Sequence, residues 1–145
     1  MTVHLVKLAV GCDGLDDLAA WQTERLAEQK RRGEAPRLFH RTFQTPKRRD
    51  DLLDGGSLYW VIKGIIQCRQ RVIGLEEGAK DDGSPCCLVM LDPKLVAVRP
   101  VPRRAFQGWR YMDAADAPKD IGRNETSIAS LPPEMAKTLA DLGLL

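Results

Sequence analysis

The stretch GGSLYWVIKGIIQCRQRVIGLEEG, residues 55–78, decides the fold. Its aromatic and β-branched residues favour strands over the helix that residues 58–70 could also form, and Gly64 divides it into two. In the second strand, alternate residues form two sets. One set is Ile66, Cys68, Gln70 and Val72, and the other is Gln67, Arg69 and Arg71. Because successive side chains of a strand point to opposite faces, one face is predicted to be largely apolar and the other cationic.

Outward from this centre, the N-terminal part predicts a strand followed by a helix. TVHLVKLAV, residues 2–10, is nearly continuous in apolar character, which indicates an inner strand with His4 and Lys7 at its polar positions. A helix is predicted over residues 15–32, with Asp13 as its N-cap. Its apolar face is marked by Leu15, Leu18, Gln22, Leu26 and Gln29 and widened by Trp21.

The remaining elements are mostly short strands. Strands are predicted at residues 38–43, 86–92, 95–102 and 104–112, a helical turn at 50–54, and a C-terminal helix within 131–145. Pro100 and Pro102 place the third of these strands at an edge. Short connections favour an antiparallel or mixed sheet, so we predict one α+β domain, residues 1–145. Its sheet is strongly curved or forms a small barrel, with a helix near each end.

The charge is unevenly distributed along the chain. The net charge is only +2, but residues 30–110 contain 17 Lys or Arg and nine Asp or Glu, a local charge of +8. The flanks contain five bases and 11 acids, a charge of −6. A surface that is merely solvated usually mixes the two signs more evenly, so the basic middle indicates an anionic partner.

Targeting and cysteine patterns limit the compartment and the cofactors. No apolar run is long enough to span a bilayer, and the N-terminus lacks the features of a signal peptide, so we expect a cytoplasmic protein without a membrane partner. The four cysteines are Cys12, Cys68, Cys86 and Cys87. Their spacing, with His4 or His40 as further ligands, matches no common zinc pattern. We expect buried thiols, no metal and no other cofactor.

The cationic face has three interpretations. Lys63, Arg69 and Arg71 could be solvated, could pair with Glu76, Glu77 or the Asp50–Asp51 pair, or could bind an anion. The last interpretation gains support from two more basic segments, TPKRR at 45–49 and RPVPRRAFQGWRYM at 99–112. The candidate ligand-binding residues are Lys63, Arg69, Arg71, Lys47, Arg48, Arg103, Arg104, Trp60 and Trp109.

This combination is typical of a nucleic-acid surface. Guanidinium groups bind phosphate, and aromatic rings stack on unpaired bases, here Trp60 or Trp109. Trp109 and Phe106 could equally belong to the core. The sequence therefore predicts a module that binds RNA or a nucleotide in a basic cleft.

Catalytic motifs are scarce, which leaves the enzyme class open. The chain contains no phosphate-binding glycine loop, no dinucleotide fingerprint and no nucleophile elbow. His40 is the candidate general base, because a neighbouring cation such as Arg41 would keep it neutral. The alternatives are a small enzyme acting on a phosphorylated or carboxylated metabolite, and a protein-interaction module. A deep closed cavity around His40 and Arg69 would favour the enzyme, and an open basic cleft the binder.

Two family resemblances add to these predictions. The motifs PKRRDDLLD, GGSLYWVIKGIIQCRQR and FQGWRYM, with the opening HLVKLAVG, resemble the bacterial DUF1489 family over nearly the whole chain. The order K-G-x-x-x-x-R across Lys63, Gly64 and Arg69 resembles, over a shorter span, the ASCH and EVE branch of the PUA-like superfold. That resemblance implies a small barrel with flanking helices that binds RNA or modified bases, with Lys63 and Arg69 facing the cleft.

Overall fold

The computed structural model describes residues 2–121, which form seven strands and two helices. The strands are β1 (Val3–Leu8), β2 (Leu38–Thr42), β3 (Ser57–Ile62), β4 (Ile65–Ala79), β5 (Pro85–Leu91), β6 (Val96–Pro102) and β7 (Trp109–Asp113). The helices are α1 (Leu15–Arg31) and α2 (Arg49–Leu53), and a 3-10 turn covers Ala114–Asp116. The helix predicted within 131–145 lies outside the described residues. No helix in the described part is long and apolar enough to cross a membrane.

The strands form one mixed sheet, which confirms the α+β prediction. Their order is β2-β5-β4-β3-β1-β7, and β6 pairs with β4 beside this path. β1 and β3 are parallel, with Leu5 opposite Leu58, and the other pairs are antiparallel. The parallel pair arises because α1, β2 and α2 intervene between β1 and β3, whereas β3 and β4 form a hairpin. β1 is therefore an inner strand, as predicted.

The hairpin turn between β3 and β4 follows from two residues. Lys63 and Gly64 have φ of +50° and +79°, so both lie in the left-handed region that a two-residue hairpin turn requires. Glycine adopts this conformation at little cost, whereas a lysine does so rarely. The break predicted at Gly64 is confirmed.

The long strand β4 makes the sheet curl. Its first half pairs with β3 and β6 and its second half with β5, and the register shifts between Val72 and Gly74. Irregularities of this kind bend and twist a strand. As a result, His40 of β2 lies against Trp60 of β3, with ring centroids 5.6 Å apart, although two strands separate β2 from β3 in the sheet order.

The two edges of the sheet approach each other through the segment that follows β2. The indole Nε1 of Trp109 donates to the carbonyl of Gln44 at 2.9 Å. The backbone N–H of Arg48 donates to the hydroxyl of Tyr111 at 3.1 Å. The sheet is thus open in its backbone ladder but bridged by side chains of β7.

Each face of the sheet carries its own apolar cluster. The larger cluster combines buried residues of β1–β5 with those of α1 and α2: Val3, Leu5, Leu18, Leu38, Leu52, Leu58, Trp60, Ile62, Cys68, Val72, Leu75, Cys87, Val89 and Leu91. The smaller cluster is Val6, Tyr59, Val61, Ile66, Val98 and Met112. Helix α1 covers the larger cluster with Leu18, Gln22 and Gln29, the buried positions of its predicted face.

Three local predictions are corrected. Gly14, not Asp13, is the N-cap of α1, and no side chain caps this helix. The strand predicted at 104–112 starts only at Trp109, because Gly108 reverses the backbone with φ of +74°. Ile66, predicted to share a face with Cys68, belongs to the smaller cluster on the other face, because the register shifts between these two residues; Gln67 at this shift is buried, and its amide donates to the carbonyl of Ile62 at 3.2 Å.

Candidate functional site

A cleft lies between α1 and the concave face of the sheet, which we call the α1 cleft. Its larger part is a cavity of about 620 Å³, and a second cavity of about 240 Å³ adjoins it. Both are lined by Trp21, His40 and Trp60, so these three residues lie where the two parts meet. Residues 7–12 line the larger part and Arg25 lines the smaller.

Strand alternation places the polar side chains in this cleft. Lys7 follows the buried Leu5 by two positions on β1, and His40 follows the buried Leu38 by two positions on β2. Residues two apart share a face, so both side chains continue the face of the larger core cluster at its edge. Trp21 stands on α1 above them and is 55% exposed.

His40 is the chemically unusual residue of the cleft. Its Nε2 is buried and has no hydrogen-bond partner in the described part of the chain. Burial, and then the charges of Lys7 and Arg25, lower the pKa of His40 to about 4, so the imidazole is neutral at pH 7. A buried polar atom without a partner costs about 1–3 kcal/mol. That cost is offset when a ligand or a water supplies the hydrogen bond.

The two cations beside His40 are not neutralised by ion pairs. Burial lowers the pKa of Lys7. The guanidinium carbon of Arg25 lies 4.9 Å from the ring centroid of Trp21 and 5.6 Å from that of Phe39. In the described range 2–121, neither cation has a carboxylate within 4.0 Å.

One acid also lines the cleft. The carboxylate of Asp17 accepts a hydrogen bond from the backbone N–H of Asp13 at 2.9 Å. It therefore binds the chain at the entry of α1. Among the residues that line the two cavities, three cations, Lys7, Arg25 and Arg41, outnumber this one acid.

A buried amide network fixes the floor of the cleft. The indole Nε1 of Trp60 donates to Oε1 of Gln70 at 2.8 Å. The amides of Gln22 and Gln70 bond reciprocally at 2.8 and 2.9 Å, and Gln70 also donates to the carbonyl of Asp92 at 3.1 Å. A fully satisfied buried network is rigid. This one attaches α1 to β4 and holds the Trp60 ring in place.

Arg69 lies on the opposite face of the sheet and does not line the α1 cleft, so its predicted role in ligand binding stays a prediction. Its Nε and Nη2 donate to the two carboxylate oxygens of Asp120, both at 2.7 Å, and its Nη1 donates to the Ser57 hydroxyl at 3.1 Å. The pair lowers the pKa of Asp120. The partner of Arg69 is Asp120 and none of the acids considered from the sequence, because the segment after β7 crosses this face beside Val98.

Other predicted cations are also paired, and the set does not converge. Lys63 lies 2.9 Å from a carboxylate oxygen of Asp13, and Arg48 lies 3.2 Å from that of Asp51. Pairing with an acid, one of the three interpretations of the cationic face, therefore applies to Lys63 and Arg69, and Arg48 is paired as well. Arg71 is exposed and has no carboxylate within 4.0 Å among residues 2–121.

The remaining candidates lie in separate places. Trp60 is only 6% exposed, so its ring is a core residue and not an open stacking surface. Trp109 is half-buried and packs edge-on against Tyr111, with centroids 4.8 Å apart. Lys47 lies in the segment after β2, while Arg103 and Arg104 follow β6, all outside the α1 cleft. Their role in ligand binding stays a prediction.

Sequence reasoning missed three residues of the cleft, namely Lys7, Trp21 and Arg25. A signal existed for Lys7, which interrupts an otherwise apolar inner strand. Trp21 and Arg25 stand four residues apart on α1, a spacing that places them on the same helix face. Nothing in the sequence indicates that β2 approaches this face, since that depends on the bend in β4.

The cysteines do not add a metal site. Cys68, Cys86 and Cys87 are buried and Cys12 is half-buried, all as free thiols. Burial raises the pKa of Cys68 to about 12, which makes that thiol unreactive. In the described part, no group of three His, Cys, Asp or Glu side chains could hold a metal ion.

Comparison with known proteins places the chain in a family. A family model described as "Protein of unknown function (DUF1489)" matches residues 5–145. The chain belongs to the DUF1489 family. The match confirms the first resemblance and includes every residue of the α1 cleft named above, so the cleft lies within the part that defines this DUF1489 protein. No curated protein and no solved structure matches it.

Proposed function

We propose that this DUF1489 protein binds a nucleotide, free or within RNA, in the α1 cleft. The observation that carries the proposal is the buried Nε2 of His40, which has no partner among residues 2–121 and lies near two cations, Lys7 and Arg25. Positive charge without acidic partners attracts an anion. An unpartnered ring nitrogen suits a polar group of a ligand.

Each part of a nucleotide has a counterpart in the cleft. Lys7 and Arg25 supply the positive charge for phosphate, and the ring of Trp21, 55% exposed, offers a surface for a base. The neutral His40 forms a hydrogen bond with the base or the sugar. The cavity of about 620 Å³ lies within the range of about 300–1,000 Å³ that small-ligand pockets occupy.

A fluorescence titration tests the proposal, since Trp21 and Trp60 report on the cleft. The ligands are the four ribonucleoside 5′-monophosphates, with the four nucleosides as controls that lack phosphate. We expect at least one monophosphate to bind saturably and its nucleoside to bind about tenfold or more weakly. Loss of one charge-assisted contact in Lys7→Met should weaken binding about tenfold, which corresponds to about 1.4 kcal/mol.

The matched control is Lys30→Met, which removes an exposed lysine at the far end of α1. We expect it to bind like the unmodified protein. Absence of saturable binding for all four monophosphates would reject the proposal. Equal affinities for Lys7→Met and Lys30→Met would place any binding outside the α1 cleft.

The enzyme alternative is less well supported by the same residue. A general base works best when its pKa lies near the working pH, whereas the pKa of His40 is about 4. A closed cavity around both His40 and Arg69 would have favoured the enzyme, but Arg69 lies on the other face. The cleft therefore suits binding better than proton abstraction.

The interaction-module alternative requires a large exposed apolar patch. Among the described residues, the large apolar side chains that are exposed are Val10, Trp21, Phe43, Ile73 and Val101. Val10 and Trp21 both line the α1 cleft. The most exposed apolar surface thus belongs in part to the proposed nucleotide site.

The same proposal includes a PUA-like fold, an incompletely closed barrel with the nucleotide at its mouth. The curl of β4 and the contacts of β7 with the segment after β2 support this proposal. The K-G-x-x-x-x-R residues do not line the cleft, so the argument rests on shape alone. An experimental structure would test this part of the proposal. Superposition of β1–β5 on PUA-like barrels would support it, and a flat sheet would reject it.

A further inference from the structure

A second basic surface lies in the connection between β6 and β7. We call residues 103–110 the arginine loop, because it contains Arg103, Arg104 and Arg110. Arg104 and Arg110 are exposed and Arg103 is half-buried. Among residues 2–121, no carboxylate lies within 4.0 Å of any of the three guanidinium groups. This distinguishes the loop from Arg69, Lys63 and Arg48, each of which has an acidic partner.

The loop holds two of its arginines around one aromatic ring. The guanidinium carbons of Arg103 and Arg110 each lie 5.4 Å from the ring centroid of Phe106. Nη1 of Arg110 also donates to the carbonyls of Gln107 and Trp109, at 2.7 and 3.0 Å. These contacts orient the cations without cancelling their charge. Oriented guanidinium groups lose less entropy when they bind phosphate.

The arginine loop lies at the end of the sheet that carries residues 8–12 of the α1 cleft, on the opposite face. β7 runs antiparallel to β1 with Trp109 opposite Lys7, so the residues before Trp109 continue beside the residues after Lys7, which line the cleft. Phe106 packs against the smaller core cluster, and Arg110 lies opposite Val6 of that cluster. The two arginines beside Phe106 therefore lie on the face opposite the cleft. The N–H of Arg103 bonds to the carbonyl of Gly64 at 2.8 Å, which fixes the loop at this end of the sheet.

We infer that the ligand is a single-stranded polynucleotide: one nucleotide occupies the α1 cleft and the adjoining phosphates lie on the arginine loop. This inference rests on the proposed function and extends it from a nucleotide to a strand. A base can enter the cleft only when it is unpaired, which favours a single strand over a duplex. Cations in the cleft and on the other face at the same end of the sheet fit a phosphate backbone that passes around this end better than a single small anion.

The test compares oligomers with monomers. Labelled single-stranded RNA and DNA octamers are titrated by fluorescence anisotropy at several salt concentrations, and the 5′-monophosphates are titrated as above. The variant is the triple substitution Arg103→Gln, Arg104→Gln and Arg110→Gln. Its matched control is the triple substitution Arg31→Gln, Arg32→Gln and Arg37→Gln, which removes the same charge from exposed arginines paired with Glu24, Glu28 and Glu76.

We expect the loop triple variant to lose at least tenfold in octamer affinity and less than twofold in monophosphate affinity. The slope of log K against log salt should fall in magnitude by about 2, since each phosphate contact on a single strand contributes about 0.7. The control triple variant should keep most of the octamer affinity and slope. A difference between the RNA and DNA octamers identifies the sugar that is recognised, and either preference agrees with the inference.

The outcomes separate this inference from the proposed function. An octamer that binds no more tightly than a monophosphate, or that binds the loop variant unchanged, overturns the inference and leaves the nucleotide cleft intact. Equally effective competition by poly-glutamate also overturns it, because the loop would then recognise any polyanion. If octamers bind through the loop while Lys7→Met has no effect and monophosphates do not bind, the cleft proposal fails.

Discussion

The sheet carries one histidine and a cation on each face, and the two faces give them different partners. On the face of the smaller core cluster, Nδ1 of His4 accepts a hydrogen bond from the N–H of Ser57 at 3.0 Å. Beside it, Arg69 forms a bidentate pair with Asp120. On the α1 face, Nε2 of His40 has no partner in the described chain and Lys7 has no acid within ion-pair distance.

This difference separates structural polar residues from candidate functional ones. Burial lowers the pKa of both histidines, so burial alone does not distinguish them. What distinguishes them is whether the fold itself supplies the hydrogen bonds and counter-charges. His4 and Arg69 have partners within the protein, whereas Nε2 of His40 and the Lys7 ammonium have none among residues 2–121. Satisfied groups should therefore matter for stability, and unsatisfied groups for ligand binding.

The largest expected effect concerns Gln70, the residue that holds the floor of the α1 cleft. Gln70→Leu should lower the free energy of unfolding by about 3 kcal/mol, because Gln22, Trp60 and the Asp92 carbonyl each lose a buried hydrogen bond worth about 1 kcal/mol. Urea denaturation at pH 7.5 measures it. The control is Arg71→Leu, one residue along on an exposed position, with an expected change within about 0.5 kcal/mol. Equal losses in the two variants would contradict a structural role for the amide network.

A smaller effect concerns the pH dependence of stability, which should depend on His40. Its pKa is about 4 in the folded state and about 6.5 in the unfolded state, so the unfolded chain binds the proton first as the pH falls. Stability due to the neutral His40 is present above about pH 6.5 and is lost between that pH and about 4. From pH 7.5 to pH 5 this contribution amounts to about 2 kcal/mol.

His40→Gln isolates that contribution. Urea denaturation of this variant should show a smaller loss of stability between pH 7.5 and pH 5 than the unmodified protein, by about the same amount. The His4 contribution is common to both proteins and cancels in the comparison. An NMR titration in which the His40 ring protonates between pH 6 and pH 7 would contradict the assigned environment.

The alternation within β4 made part of this architecture predictable from the sequence. Residues two apart share a face, so Ile66, Cys68, Gln70 and Val72 were predicted to lie together and Arg69 opposite them. The prediction is confirmed from Cys68 onward and is wrong for Ile66, which precedes a register shift. The break at Gly64 was also predicted from a local signal, the glycine itself, and the turn there has positive φ. Such predictions succeed because they depend on neighbours within a few residues.

The partners of these side chains were not predictable, because they come from distant segments. Asp120 lies 51 residues beyond Arg69 and reaches it only through the path of the chain after β7. The approach of His40 to Trp60 depends on the register shift at Val72, whose direction the sequence does not indicate. The local pattern thus predicts the face of the sheet on which a cation lies. It does not predict whether an acid pairs with that cation, and this pairing decides which cations can bind a ligand.

The smallest expected effects on stability come from two single substitutions: one removes the acid partner of Arg69, and the other removes Lys7. Asp120→Ala should lower the free energy of unfolding by about 1 kcal/mol at pH 7, since the pair is partly exposed and screened. The pKa of Asp120 is lowered in the folded state, so this contribution is present above the unfolded value of about 3.9 and is lost as the pH falls through the folded pKa.

Lys7→Met should show the opposite pattern, with a change in stability within about 0.5 kcal/mol and a loss of nucleotide affinity. Asp120→Ala should leave nucleotide affinity unchanged, because Arg69 lies on the other face. Denaturation and nucleotide titration on the same two variants give a crossed design in which each variant controls for the other. A loss of both properties in both variants would mean that the two faces are coupled through β3 and β4, and the distinction between satisfied and unsatisfied cations would no longer identify the site.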